Sequence, residues 1–212
     1  AFATEHQNLK GRDGFYSDEK WFDCNDHAGF FEWCAEDEDA SPIMRGQTGK
    51  GGVPKIHVWG VIGHGIKKLF IIPLDQNVDG EYYTSIIKRY LKTLTRKGAF
   101  FVQDGAPPHR KKTTLEFLRK NKVNVLWPWV ARSPDCNPVE VCWRLVEQQV
   151  GVFMCESRVE LEAKLMEVWN SIDQAVVDKL CDAQDEWRVF FDGAGTFRSV
   201  ALRGNGPYNR TW

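Results

Sequence analysis

Val102-Gln103-Asp104-Gly105-Ala106-Pro107-Pro108-His109 decides how this chain folds. It follows the apolar run Ala99-Phe100-Phe101, so Asp104 is predicted at the C-terminal mouth of a buried strand, where a Gly/Pro turn ends the run. A second segment, Ser133-Pro134-Asp135-Cys136-Asn137-Pro138-Val139-Glu140, opens a helix, with Asn137 expected as N-cap, Pro138 at N1 and Glu140 at N3. A third acid, Asp18, lies in the strand-like run Phe15-Tyr16-Ser17-Asp18-Glu19-Lys20-Trp21-Phe22. Strand mouths and helix starts are where an α/β fold presents acids to a ligand outside its sheet. Three such carboxylates are the minimum set for holding two Mg²⁺ ions on a phosphodiester.

Around these segments the chain has the means to build a full core. It has 212 residues, 42% of them apolar, and its nine tryptophans and thirteen phenylalanines argue against disorder. No stretch approaches the length of a membrane-spanning helix, and the N-terminus carries no signal-peptide apolar region. The chain starts at Ala1 rather than Met and is read as an excised fragment. Cys24, Cys34, Cys136, Cys142, Cys155 and Cys181 show no CxxC and no zinc-ligand spacing, so reduced thiols of an intracellular protein are expected.

The net charge of −1 conceals a strong asymmetry. Between Lys88 and Lys122 there are eleven basic residues against the two acids Asp104 and Glu116. Between Glu156 and Asp192 there are ten acids against four basic residues. A phosphate-binding surface would favour the first region and avoid the second; a solvated helix face is the other reading of the basic run.

Residues 1–13 read as a linker, 14–195 as one domain and 196–212 as a flexible tail. Strands are expected at 14–23, 29–34, 55–63, 67–73, 99–104 and 123–127, with 55–73 forming a hairpin through a Gly-His-Gly turn. Residues 36–54 form a long irregular loop. Helices are expected at 79–96, 111–121, 138–150, 157–171 and 174–190, the fourth with a stripe of Leu161, Leu165, Val168 and Trp169. Antiparallel strands followed by strands reached through helical crossovers give an α/β fold: a mixed five-stranded sheet flanked by helices on both faces.

Three blocks in order also resemble a family. Ser17-Asp18-Glu19, the Gln103 to His109 segment and the Ser133 to Glu140 segment resemble the catalytic blocks of the Tc1/mariner transposases, and Ile56-His57-Val58-Trp59-Gly60-Val61-Ile62 resembles the strand after the first block. The likeness runs from Phe15 to the Gly193-Ala194-Gly195 region, with 35 residues between Asp104 and Glu140. The resemblance implies an RNase H-like fold of the DDE/D group. It selects Asp18 over Glu19 as the first catalytic and metal-binding acid, Asp104 as the second, and Glu140 over its rival Asp135 as the third. Gly105 departs from the Asn common at that position in the family.

Each acid has an ordinary structural alternative. Asp18 or Glu19 fits an exposed strand position, Asp104 fits an Asx-turn, and Glu140 fits a capping box behind Asn137. His109, Arg110, Lys111 and Lys112 are the candidate DNA contacts, with helix capping and solvation as alternatives. The resemblance implies a metal-dependent polynucleotidyl transferase and endonuclease, with two Mg²⁺ ions (Mn²⁺ as substitute) per site. Its expected partners are transposon-end and target DNA and a second copy of itself, with no membrane, in the nucleus if eukaryotic and otherwise intracellular. The family's upstream helix-turn-helix domains are not seen here, so weak DNA binding without sequence preference is expected. A domesticated domain that binds DNA or protein without cutting, or an RNase H-like nuclease, are the alternatives.

Overall fold

A computed structural model describes residues 9–23, 54–126, 137–151, 153, 155, 157–186, 190–191 and 197–198. Expectations for the strand at 29–34, most of the loop at 36–54, Asp135 and the tail beyond Arg198 lie outside the described residues.

A 3-10 turn at Gly11–Asp13 leads into β1 (Gly14–Asp23), followed by β2 (Lys55–Gly63) and β3 (Ile66–Ile72). The three form an antiparallel meander in which Asp18 pairs with Gly60 and Val61 with Lys68. The β2–β3 turn uses Gly65 at φ +76°, a left-handed conformation that glycine adopts without strain. β4 (Phe100–Val102) then joins the other edge of β1 in parallel, Tyr16 opposite Val102, giving the order β3-β2-β1-β4.

Among the described residues this main sheet has four strands, where five are expected. The segment expected as a strand at 123–127 does lie beside β4. Asn124 accepts from the Phe101 N–H at 2.7 Å and Leu126 donates to the Phe101 carbonyl at 2.8 Å. Among the described residues the pairing is one parallel bridge, Phe101 to Val125, and Lys122 turns sharply at φ 56° just before this segment. A separate two-stranded ladder joins β5 (Phe190–Phe191) to β6 (Phe197–Arg198).

The helix expected at 79–96 divides into α1 (Gly80–Arg89) and α2 (Leu91–Leu94). Asp79 caps α1, accepting from the Glu81 and Tyr82 N–H groups at 3.0 and 2.9 Å. The break falls at Tyr90, which leaves the helical region (φ −109°, ψ 8°) and stacks on Trp59 with ring centroids 5.2 Å apart. After β4 come the single turn α3 (Pro107–Arg110), α4 (Lys112–Lys120) and α5 (Val139–Val150). α6 (Arg158–Ser171) and α7 (Gln174–Asp182) follow, capped by the Ser157 hydroxyl and the Asp173 carboxylate. A 3-10 turn at Ala183–Glu186 takes the place of the last part of the helix expected at 174–190.

Strand alternation sorts the core into two layers. Tyr16 and Phe22 of β1, with Ile56, Val58 and Ile62 of β2, pack on one face against α5, α6 and α7. All four residues of the α6 stripe are buried there. Phe15, Trp59 and Val61 point to the opposite face, against Tyr83, Ile86 and Ile87 of α1 and Leu118 of α4. Two buried polar bonds tie the layers to β1. Ser17 Oγ donates to the Val102 carbonyl at 3.0 Å, and Asn137 Nδ2 donates to the Ser17 carbonyl at 3.1 Å.

Trp143 of α5 is fully buried on the first face, with its ring over Gly60. A Cβ at Gly60 would stand 2.3 Å from Trp143 Cη2 and 2.7 Å from Cζ2, closer than packed atoms tolerate. Gly60→Ala is therefore expected to destabilise the fold by about 1–3 kcal/mol through overpacking, read as a lowered midpoint in urea unfolding with an unchanged slope.

Candidate active site

α5 runs alongside β1 in the same direction and meets it three times. Asn137 binds the Ser17 carbonyl, Trp143 Nε1 donates to Asp18 Oδ2 at 3.0 Å, and Glu147 pairs with Lys20 at 2.7 Å. Glu140 stands one turn before Trp143 on this helix, facing the same stretch of β1. The helix begins one residue later than expected: Pro138 is the N-cap, Val139 the first helical residue and Glu140 the second. With Pro138 as N-cap, Glu140 stands at N2 rather than at the N3 position of a capping box. The Asn137 side chain is spent on β1 and on a 3.4 Å contact from the Val139 N–H.

Two of the predicted acids, Glu140 and Asp104, come within electrostatic reach of the third, Asp18. The Asp18 carboxyl is pushed up from 3.8 to about 7, first by burial, then by the charge of Glu140, and to a smaller degree by that of Asp104. The Trp143 indole and the Glu19 backbone N–H oppose that rise. Two chain segments distant in sequence thus add negative charge around one half-hidden carboxyl on β1.

Asp104 sits past the end of β4, at the level of Asp18 on the neighbouring parallel strand. Its carboxylate is half exposed, and its Oδ1 accepts from the Ala106 N–H at 2.9 Å and from His109 Nδ1 at 2.6 Å. The Asx-turn alternative is therefore realised, and among the described residues both bonds use the same oxygen. His109 holds the Asp104 carboxyl below its usual value.

His109 is placed differently from a DNA contact. Its side chain is only 5% exposed, and its other nitrogen, Nε2, lies 3.2 Å from Glu19 Oε1. Both ring nitrogens face carboxylates, and Tyr83 lies against the ring at a centroid distance of 4.0 Å. Burial alone would lower its pKa, but the bonds to Asp104 and Glu19 outweigh that and raise it to about 9. It is an internal imidazolium, not a surface cation. Burial would likewise raise Glu19, yet bonds from His109 and His57 hold it at about 2. Arg110, Lys111 and Lys112 are exposed at the start of α4, where Lys112 also reaches Glu116 at 3.9 Å.

Glu19 and Trp143 are functional neighbours that the sequence motifs did not single out as such. The signals were present: alternation sends Glu19 to the face opposite Asp18, and Trp143 shares a helical face with Glu140 at i+3. What no spacing rule supplied was the partner of each. Tyr83, whose hydroxyl donates to Gln103 Oε1 at 2.8 Å and so anchors the residue before Asp104, had no signal at all.

Among the described residues, no three His, Cys, Asp or Glu side chains are gathered closely enough to hold a metal ion as they stand. The donor chemistry of Asp18, Asp104 and Glu140 still suits a hard divalent cation, because all three offer carboxylate oxygens. Their mutual repulsion at Asp18 is the strain such a cation relieves.

No protein-family model matches the chain. Its sequence is 29% identical over 146 residues to the Tcb2 transposase of Caenorhabditis briggsae, covering 67% of this chain and 53% of that protein. It is 27% identical over 194 residues to the Tc3 transposase of Caenorhabditis elegans, covering 87% of this chain and 57% of that protein. The chain thus spans little more than half the length of these relatives. In fold it matches the Mos1 transposase in a paired-end complex with the left transposon end, at TM-score 0.72, 17% identity, 87% of this chain and 56% of that one. It also matches the Mos1 catalytic domain with Raltegravir and Mg, at TM-score 0.63, 16% identity, 87% of this chain and 84% of that one. Sequence and architecture together make this chain a homologue of the Tc1/mariner transposases, with the α/β fold of the Mos1 catalytic domain.

Proposed function

We propose that this chain is the catalytic domain of a DNA transposase that cuts phosphodiester bonds at transposon ends and joins the freed strand to target DNA. The observation carrying this reading is the convergence at Asp18: its carboxyl is pushed to about 7 by burial together with the charges of Glu140 and Asp104. Perturbed acids that share one field from three separate elements are characteristic of sites built to do chemistry. The transposase homology supplies the substrate class, and the Mos1 structure with Mg supports the choice of metal.

Asp18, Asp104 and Glu140 would hold the divalent cations. Bound Mg²⁺ would lower the pKa of an attacking water or 3′-hydroxyl and stabilise the departing oxygen. The chain's own residues set the geometry. Trp143 fixes one oxygen of Asp18 from a dry layer, while His109 and the Ala106 N–H fix one oxygen of Asp104. Glu19 in turn steadies His109 through the second ring nitrogen. Arg110, Lys111 and Lys112, exposed beside Asp104, are suited to the phosphates flanking the cut, whereas His109 acts from inside.

Asp104→Asn keeps the oxygen that accepts from His109 and Ala106 but removes the charge. Wild-type protein should nick duplex DNA in Mg²⁺, and this variant should fall to background with an unchanged circular dichroism spectrum. Wild-type nicking rates in Asp104→Asn would overturn the assignment. Cleavage of an RNA–DNA hybrid or four-way junction in place of duplex DNA would select the nuclease alternative.

A second expectation comes from the protonation of Asp18. Its folded value of about 7 exceeds the ordinary 3.8, so the bound proton stabilises the fold at low pH and that stability drains away as pH rises through about 7. From pH 5 to 6.5 the loss in metal-free protein should be about 2 kcal/mol. Glu19 keeps its stabilisation throughout that range, since it is lost only as pH falls from 4.5 through about 2. His109 does too, since its contribution is lost only as pH rises from 6.5 through about 9. Thermal melts should show this decline in wild type and not in Asp18→Asn. Mg²⁺ at pH 7.5 should raise the wild-type midpoint and leave the variant's unchanged.

A further inference from the structure

Outside the acid site, a cavity of about 580 Å³ with a basic lining lies at the other end of the sheet. Phe15, at the start of β1, forms part of its wall, with the β2–β3 turn on one side and α2 on another. Phe15 precedes Asp18 by three residues, about 10 Å along an extended strand, and the turn residue Gly65 is part of the cavity wall. Lys68, Lys92 and Arg96 line it together with His64, and no Asp or Glu does.

The charges in this cavity are of two kinds. Lys67 is committed to the fold: its ammonium donates to the carbonyls of Trp169 at 2.7 Å, Asn170 at 3.3 Å and Ile172, closing the C-terminal end of α6. His64 lies 3.8 Å from Asp178 and 3.5 Å from Arg12, so it too has local partners. Lys68, Lys92 and Arg96 differ. Among the described residues none of the three enters an ion pair. The Arg96 guanidinium lies over the Phe15 ring, 5.1 Å from its centre, which orients it against the wall. Lys92 stands on α2 and Arg96 lies two residues beyond its end, so both line the cavity from the same segment, and Lys68 projects from the sheet face that α2 covers.

Three cations around one hollow, with no acid in its lining, repel one another until an anion is bound between them. The hollow carries charged side chains beside its apolar wall, unlike the mostly apolar pockets that bind small neutral ligands. Lysine ammonium groups meet phosphates as mobile point charges, and arginine adds a fixed fork. We propose that this cavity is a second DNA-backbone site, in which Lys68, Lys92 and Arg96 engage phosphates of duplex DNA at the sheet end remote from the acids. The identity of the polyanion rests on the transposase reading above; the existence of the anion site does not.

The test uses the whole chain and a random-sequence 30-base-pair duplex, with affinity followed by fluorescence anisotropy across a salt series. Lys68→Gln combined with Lys92→Gln is the variant, since both side chains are exposed and neither is packed in the core. Lys10→Gln combined with Lys179→Gln is the control, with the same charge change at exposed positions outside the cavity. Two lost phosphate contacts should flatten the slope of log K against log salt by about 2 in the cavity variant only. An unchanged slope, an equal change in the control, or no measurable binding by wild type would overturn the proposal. Inorganic pyrophosphate that competes with wild type and equally well with the cavity variant would also overturn it. Nicking with an unchanged slope would strike the cavity and leave the catalytic reading. A cavity-dependent slope without nicking would do the reverse.

Discussion

Everything at the acid site depends on β1 being flanked by two strands and alternating its side chains between two layers. Parallel pairing with β4 brings the residues after Val102 level with Asp18, and antiparallel pairing with β2 puts a glycine directly across from it. Alternation then sends Asp18 to the α5 face and Glu19 to the α1 face. Each acid meets its own aromatic donor, Trp143 for the first and His109 for the second. A one-residue slip of β1 would exchange them and bury the wrong carboxylate under the wrong helix.

The two faces treat negative charge in opposite ways. On the α1 face, Glu19, His109 and Asp104 form a closed acid–imidazolium–acid chain, each member holding its neighbours in the charged form. On the α5 face, Asp18 has an indole N–H for a partner and two further acids within range, and its carboxyl is driven up to about 7. Compensation on one side fixes the position of Asp104, while lack of compensation on the other leaves a site with an electrostatic demand for cations. Both states come from one strand, because a strand can offer consecutive acids to different environments.

A similar contrast holds for the basic residues. Lys67 caps a helix end through three carbonyls and Lys20 pairs with Glu147, so these cations belong to the fold. Lys68, Lys92 and Arg96 share a hollow with no acid in its lining. The basic excess between Lys88 and Lys122 is therefore not one surface: His109 is interior, Arg110 to Lys112 lie near Asp104, and Lys92 and Arg96 lie at the opposite end of β1.

The sequence by itself determined the local pieces. Alternating apolar runs marked β1, β2 and β3 to within a residue or two, the Gly-His-Gly turn marked their hairpin, and helical spacing marked the buried stripe of α6. The acids at a strand mouth and a helix start were visible because those positions follow from short-range chemistry. Tertiary structure decided what short range cannot encode. Tyr90 broke one helix into two by packing on Trp59, the segment around Val125 kept only one bridge to β4, and Pro138 displaced Asn137 as N-cap while Asn137 turned to β1. The burial of His109 between Glu19 and Asp104 also needed contacts ninety residues apart. Periodicity reports which way a side chain points, whereas its partner is set by packing between elements that the chain order does not place side by side.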